Sequence, residues 1–434
     1  MNCSIRLRAG LFALVCVAAA VPALATQEKI LYTFTGLPDG AVPLGTLISD
    51  KAGNLYGTTE QGGTGLCTQG GGNAGCGTIF ELSPPSGKTG SWSETILYSF
   101  QAGADGSIPM AGLVFDGQGN LYGTTSATNS FGQGTVFELS PPASSGAPWS
   151  FSTLHSFKGS DGAGPTGTLI VDHSGNLYGT TGSGGYYSGT LCVSSGCGTV
   201  FELSPPSTAG GQWTETVLHA FTASHDGAYP RAGLAIDQAG DLFGTTTEGG
   251  NTGTKCDGLS GCGTVFELQF SAGAWTEHVL HRFDYTDGAR PFSTLVFSKG
   301  ALYGTTSEAE NYGSVFEMTF SAGRWTLTSI FTFNENDGSF PLSGVTIDAA
   351  GNLFGTTDGG PDDGSYGNIY ELSPPATSGE AWSQTILHNF TAGKDSSGPQ
   401  GGLLQGASVL YGTASGCISS QCTGGYGTVF AVTK

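Results

Sequence analysis

One five-residue phrase recurs seven times along this chain, and that recurrence constrains the fold more than any other feature. Leu-Tyr-Gly-Thr-Thr stands at Leu55 to Thr59, Leu121 to Thr125, Leu177 to Thr181 and Leu302 to Thr306. Leu-Phe-Gly-Thr-Thr stands at Leu242 to Thr246 and Leu353 to Thr357, and Leu-Tyr-Gly-Thr-Ala at Leu410 to Ala414. Successive glycines of the phrase are 51 to 66 residues apart, so the units differ in their loops and agree elsewhere, as repeat architectures do. The second copy shows four strand-like pieces: Pro109 to Asp116, Asn120 to Thr125, Gly134 to Leu139 and Trp149 to Phe157. Each is a short run rich in β-branched and aromatic residues, bounded by Gly, Pro, Asn or Asp. Four strands in each of seven units predict an all-β, seven-bladed β-propeller. The 74 Gly and 19 Pro stay below the disordered range, and charged residues make up only 11%, which suits strands and tight turns rather than helices.

The phase of the repeat predicts how the ring closes. Trp92, Trp149, Trp213, Trp275, Trp325 and Trp382 each lie eight residues before Phe100, Phe157, Phe221, Phe283, Phe333 and Phe390. Phe34 continues that series, so the chain opens on a lone fourth strand, Ile30 to Phe34, and ends on a third strand, Gly427 to Val432. Each half-unit completes the other in one blade. Residues 1–25 read as a secretory signal, with Arg6 and Arg8, the apolar run Leu11 to Val21, and Ala23-Leu24-Ala25 as the cleavage site. Residues 26–434 are then one propeller domain, secreted or periplasmic, without membrane insertion. Cys16 follows Val15, which does not suit a lipobox. A net charge of −20 repels nucleic acid and anionic lipid.

The repeated Gly-Asn-Leu-Tyr-Gly-Thr-Thr and Gly-Thr-Val-Phe-Glu-Leu phrases, followed by Ser-Pro-Pro in several copies, closely resemble the GloVer-type tandem repeat of secreted or surface-attached bacterial proteins. That resemblance covers essentially the whole mature chain and implies an extracytoplasmic repeat protein with no established activity. Family members often carry a C-terminal anchor; here the chain stops at Lys434 with no hydrophobic tail, so tethering is not expected. The Asp-x-x-Gly-Asn-Leu-Tyr stretch is also similar to NHL-type blades, which implies that the first strand of each unit is innermost and the fourth outermost.

Eight cysteines fall in four local pairs between second and third strands: Cys67 and Cys76, Cys192 and Cys197, Cys256 and Cys262, Cys417 and Cys422. In an exported protein they read as disulfides within each loop; pairing between neighbouring blades is the alternative. Metal knuckles are disfavoured by the spacing and by the lack of accompanying His. His155, His219, His281 and His388 share a position with Tyr32, Tyr98 and Phe331, which reads as a packing slot. Glu81, Glu138, Glu202, Glu267, Glu317 and Glu371 recur on third strands, where pairing with cross-strand Thr is expected rather than glycoside hydrolysis.

An Asp precedes each inner-strand Pro by four residues: Asp39, Asp105, Asp161, Asp226, Asp287, Asp337 and Asp395. Asp-Gly is first a turn former. The functional reading is that seven carboxylates ring one channel mouth and take a cation such as calcium, or a polyhydroxyl ligand. Arg231 and Arg290, beside Pro230 and Pro291, are the basic residues of that region and suggest an anion contact. The loops between second and third strands are long, varied and set with Tyr186, Tyr187, Tyr312, Tyr366 and Tyr426, so this face is the expected recognition surface. No catalytic phrase is present: no nucleophile elbow, phosphate loop, His-Glu-x-x-His or complete calcium loop. The sequence therefore points to a monomeric, non-catalytic scaffold that binds a protein, peptide or glycan, with no required cofactor. A lactonase-like or polysaccharide-cleaving propeller enzyme is the alternative.

Overall fold

The computed structural model describes residues 28–434 except 70–71, 88–89, 128–132, 145, 187–191, 193, 209, 252–255, 257–260, 309–311, 335, 360–365, 378 and 417–424. The expected signal segment and the pair Cys417 and Cys422 lie outside the described residues. Among the described residues there are strands and no helix. Seven four-stranded antiparallel sheets form the blades, and six of them take their strands in chain order. The seventh is built from Leu404–Gln405, Val409–Ala414 and Thr428–Thr433, with Glu28–Thr33 as its outer strand. Glu28 pairs with Val432 and Thr33 with Thr428, so the two ends of the chain share one blade as the repeat phase predicts.

The recurring phrase is explained position by position. Its Leu and aromatic residue are buried between sheets, and its Gly lies directly across from the third-strand aromatic, Gly57 from Phe80 and Gly179 from Phe201. A Cβ on Gly57, Gly123, Gly179, Gly244 or Gly304 would stand 2.5–2.7 Å from that ring, so only glycine leaves room for it. The first Thr reaches into the next blade. Thr58 donates to the Ala111 carbonyl at 2.8 Å, Thr180 to Ala232 at 2.7 Å, and Thr413 closes the circle on Gly45 at 3.3 Å. The second Thr instead bonds within its blade, as Thr59 does with Thr78 at 2.7 Å.

Aromatic contacts stitch the same seams. The Phe ending each outer strand meets the third-strand aromatic of the following blade edge to face, with centroids 5.1–5.5 Å apart at all seven seams, from Phe34 on Phe80 to Phe390 on Phe430. These pairs are fully or nearly fully buried. Trp149 packs back on Tyr56, Trp213 on Tyr122 and Trp275 on Tyr178. Burial of this kind stabilises by roughly 1.5–3 kcal/mol per large side chain before entropy is counted.

Inner strands are shorter than the sequence pattern suggests. Pro109 to Asp116 reads as one strand, yet only Val114–Phe115 pairs with its neighbour. The residues before it run beside the adjoining blades around the central axis, where Gly112 donates its N–H to Thr168 Oγ1 at 3.1 Å. Third and outer strands also differ between blades. Ser-Pro-Pro ends the third strand in blades 1, 2, 3 and 6, because Pro has no N–H to continue the ladder. Blades 4 and 5 lack it, and Thr264–Ser271 and Ser314–Ser321 run on into Ala274–Arg282 and Arg324–Thr332. Ala272 and Gly273, like Ala322 and Gly323, take the paired positive φ values of a two-residue hairpin turn.

Candidate functional site

Each link from an outer strand to the next inner strand ends in a residue with a left-handed backbone just before Pro. These are Val42, Ile108, Gly164, Tyr229, Arg290, Phe340 and Gly398, with φ between 51° and 62°. For the five that carry side chains this conformation costs on the order of 1–3 kcal/mol each. The offset is visible, since every one of their N–H groups bonds to a carbonyl of the preceding blade, at Tyr426, Cys76, Gln133, Cys197, Cys262, Tyr312 and Tyr366, over 2.8–3.0 Å. Three of those acceptors are disulfide cysteines. Cys67–Cys76, Cys192–Cys197 and Cys256–Cys262 are all bridged within their own loops, as expected.

The residue after each Pro faces the axis. Leu44, Met110, Thr166, Arg231, Phe292, Leu342 and Gln400 all line a central cavity of about 390 Å³. One position per blade thus carries six different residue types, Leu occurring twice, around the mouth of the channel. Arg231 is exposed, its guanidinium stands 5.9 Å from the Phe292 ring, and its carbonyl accepts from Thr166 at 3.0 Å. It also lines an adjoining cavity of about 500 Å³ with Thr166, Ser183, Ser195, Tyr229 and Glu248. The Ser195 and Tyr229 hydroxyls are 3.3 Å apart. Arg290, the second predicted cation, is ion-paired with Glu308 at 3.4 Å.

The seven Asp do not ring this mouth, because none lines the channel. Each instead closes the turn after its outer strand. Asp39 accepts the Thr35 N–H at 2.8 Å, Asp161 that of Lys158 at 2.7 Å, and Asp226 that of Thr222 at 2.9 Å. The presumed packing slot turns out to be their partner. Tyr32, Tyr98, His155, His281 and His388 reach Asp39, Asp105, Asp161, Asp287 and Asp395 at 2.8–3.3 Å, and His219 stands 3.5 Å from Asp226. Where Phe331 has no polar tip, Asn334 supplies the contact to Asp337. Burial works against the Asp226 charge, but hydrogen bonds from His219 and Thr222 hold its carboxyl below the usual range. Of the third-strand Glu residues, Glu81, Glu202, Glu317 and Glu371 face cross-strand Thr, whereas Glu138 faces Ser152 and Glu267 faces His278.

A further group of carboxylates faces these turns from the next outer strand. Glu94 lies against Asp39, Glu215 against Asp161 and Glu28 against Asp395, and burial followed by the Asp charge pushes each up to about 7. Their pattern, a Glu two residues after Trp92, Trp213 and Trp275, was present in the sequence but is masked by Phe151, Leu327 and Gln384 at the same position after the other three Trp.

The two loop classes meet on one face. Ser107 bridges to Ala127, Ala163 to Ser183, Ala228 to Glu248 and Ala289 to Glu308. Tyr186, Leu66, Phe340, Leu37 and Tyr426 are exposed here. Tyr312 and Tyr366 lend backbone carbonyls to the left-handed N–H groups of Phe340 and Gly398, and Tyr187 lies outside the described residues. On the opposite face the long hairpins of blades 4 and 5 expose Phe270 and Phe320 against Trp275 and Trp325, at 5.2 and 5.3 Å. Between them runs a groove of about 1200 Å³ walled by Phe243, Phe297, Phe320 and Trp325 and edged by Asp237, Lys299 and Arg324. The absence of Ser-Pro-Pro before Phe-Ser-Ala-Gly was the signal for these hairpins.

A family model described as the Gloeobacter/Verrucomicrobia repeat matches residues 64–255 and 194–430. No curated protein matches the chain. Among solved structures, an ulvan lyase aligns at 9% identity and a TM-score of 0.48, over 93% of this chain and 95% of its own. A puromycin-hydrolysing peptidase of Mycobacterium tuberculosis aligns at 9% identity and 0.48, over 89% of this chain and 53% of its own. A Trypanosoma rangeli sialidase aligns at 11% and 0.43, over 95% and 60%. Identities and scores this low carry no argument about what this chain binds.

Proposed function

The chain belongs to the Gloeobacter/Verrucomicrobia repeat family, and we propose that it is an extracytoplasmic, non-catalytic binding scaffold whose ligand engages the loop-rich face at the channel mouth through Arg231. The observation that carries this reading is the ring of residues after the seven prolines, where the otherwise repetitive chain varies blade by blade. A sevenfold surface cannot specify an asymmetric partner; this ring can, with Arg231 and Phe292 on one side and Leu44 and Met110 on the other. Among the described residues the channel lining holds no His, Cys, Asp or Glu, so its Ser and Thr hydroxyls have no general base beside them there. Binding is what its chemistry supports. Disulfides persist in oxidising compartments, which supports an extracytoplasmic place.

The ligand is a peptide or glycan that offers a carboxylate to Arg231 and an apolar or sugar face to Phe292. The acidic charge of the chain is screened beyond about 8 Å at physiological salt, so a local guanidinium still attracts an anion. The test is a panel of acidic and neutral peptides and glycans on the secreted protein, repeated with Arg231→Ala. Binding of acidic members should weaken at least tenfold in the variant and fall with added salt. If Arg231→Ala binds as the parent does while Trp325→Ala does not, the recognition face is the opposite one.

A further inference from the structure

At the outer end of the seam between blades 2 and 3, His155, Asp161 and Glu215 each bring one donor atom within 4.8 Å of the others. We propose that these three side chains form a divalent-metal site of zinc type that clamps the two blades. An imidazole with two carboxylates is a donor set that zinc accepts, with water in the fourth position. Two carboxylates and a neutral imidazole also balance a dication. An all-oxygen ion such as calcium or magnesium has no use for the imidazole.

The first two ligands are already positioned. His155 Nε2 stands 3.0 Å from Asp161 Oδ2, close to the roughly 3.3–3.5 Å edge that bonds of about 2.0–2.2 Å give a tetrahedron. The Lys158 N–H holds the other oxygen, Oδ1, at 2.7 Å, and the Phe157 ring meets the imidazole edge to face at 4.9 Å. Such supporting contacts orient metal ligands.

Glu215 is the telling member. Its Oε1 is buried without a hydrogen-bond partner, a costly arrangement for a carboxylate beside another carboxylate. The turn does not need it. Phe151 and Leu327 occupy the equivalent position at other seams, and there Tyr98 still holds Asp105 and His281 still holds Asp287. A metal ion would satisfy the buried oxygen and neutralise both acids. Burial and the Asp161 charge that push Glu215 up to about 7 describe the same unfavourable state.

The site draws on none of the channel residues, so it stands or falls separately from the binding reading. Its test uses substitutions that the chain already tolerates elsewhere: His155→Tyr, as at Tyr32 and Tyr98, and Glu215→Gln, as at Gln384. The secreted protein is stripped with chelator and titrated calorimetrically with zinc chloride, with calcium chloride in parallel. Circular dichroism reports folding of each variant. The parent should bind zinc saturably and in preference to calcium. Either variant should lose one equivalent or at least tenfold in affinity, while Glu94→Gln, at the Tyr32 seam, keeps it. Zinc uptake unchanged in both variants, no saturable uptake by the parent, or a preference for calcium overturns the site and leaves the carboxylates sharing a proton. Should His155→Tyr misfold, the near-isosteric Glu215→Gln decides alone.

Discussion

The blade seams and the ring at the channel mouth are built from the same repeat, yet one repeats and the other does not. Every seam carries the same three devices: a Thr hydroxyl reaching the next inner strand, an aromatic pair, and a left-handed residue whose N–H is hooked to the preceding blade. Around the channel one position runs through Leu, Met, Thr, Arg, Phe, Leu and Gln. The seams fix geometry and so admit few residues; the ring lines an open cavity, with Arg231 exposed and the other six residues half-buried, and so admits many. Specificity therefore belongs to the ring and stability to the seams.

Removing residues 26–36 tests the seam side hardest, since it takes the outer strand from blade 7 and its Phe34 from the Phe80 seam. Most of a typical 5–15 kcal/mol of stability should go, seen in urea or thermal melts. Phe201→Ala, which empties one seam beside Phe157, should cost about 3–5 kcal/mol by the same melts. An equally large loss from a ring substitution would dissolve the distinction.

The rim carboxyls give a pH signature to chelator-treated protein. Glu28, Glu94 and Glu215 sit near 7 in the folded chain against an ordinary 4.5. Because the raised value favours the protonated folded form, their stabilisation is complete below about pH 4.5 and is lost as pH climbs towards 7. Each group should account for about 1–2 kcal/mol, discounted for its partial exposure. Glu→Gln at each site should flatten the melting temperature between those limits. Thr180→Val, which leaves the Ala232 carbonyl without its partner, should cost about 1 kcal/mol. Arg231→Ala should move stability by less than about 0.5 kcal/mol while it changes binding, the sharpest separation of ring from seam.

Where a residue type had one physical job, the sequence revealed it. The Leu-x-Gly-Thr-Thr register and ring closure follow from spacing, because strand pairing permits no slip; the three described disulfides needed the exported context as well, and the structure settles their local pairing over pairing between blades. The His and Tyr slot was misread since both are large and aromatic, and their common polar tip matters only once Asp is seen beneath it. Asn334 accompanying Phe331 was the available clue. The Asp ring was misplaced because links that join outer to inner strands begin at the rim and end at the axis, and the carboxylates sit at the beginning. Arg231 was noticed for its charge, but the ring it belongs to needed the axis to be visible.

The pairing of Glu28 with Val432 also imposes an order in time. A chain that emerges from its N-terminus makes the strand 28–33 first and its partner 428–433 last. Until then blades 1 to 6 can assemble in sequence, each on the one before, while the first strand waits without a partner and the seventh sheet lacks an edge. Contacts this distant along a chain form slowly, and unpaired edges invite association with other chains. The step that completes the ring is thus also the one at which a nascent copy stops being able to pair with its neighbours.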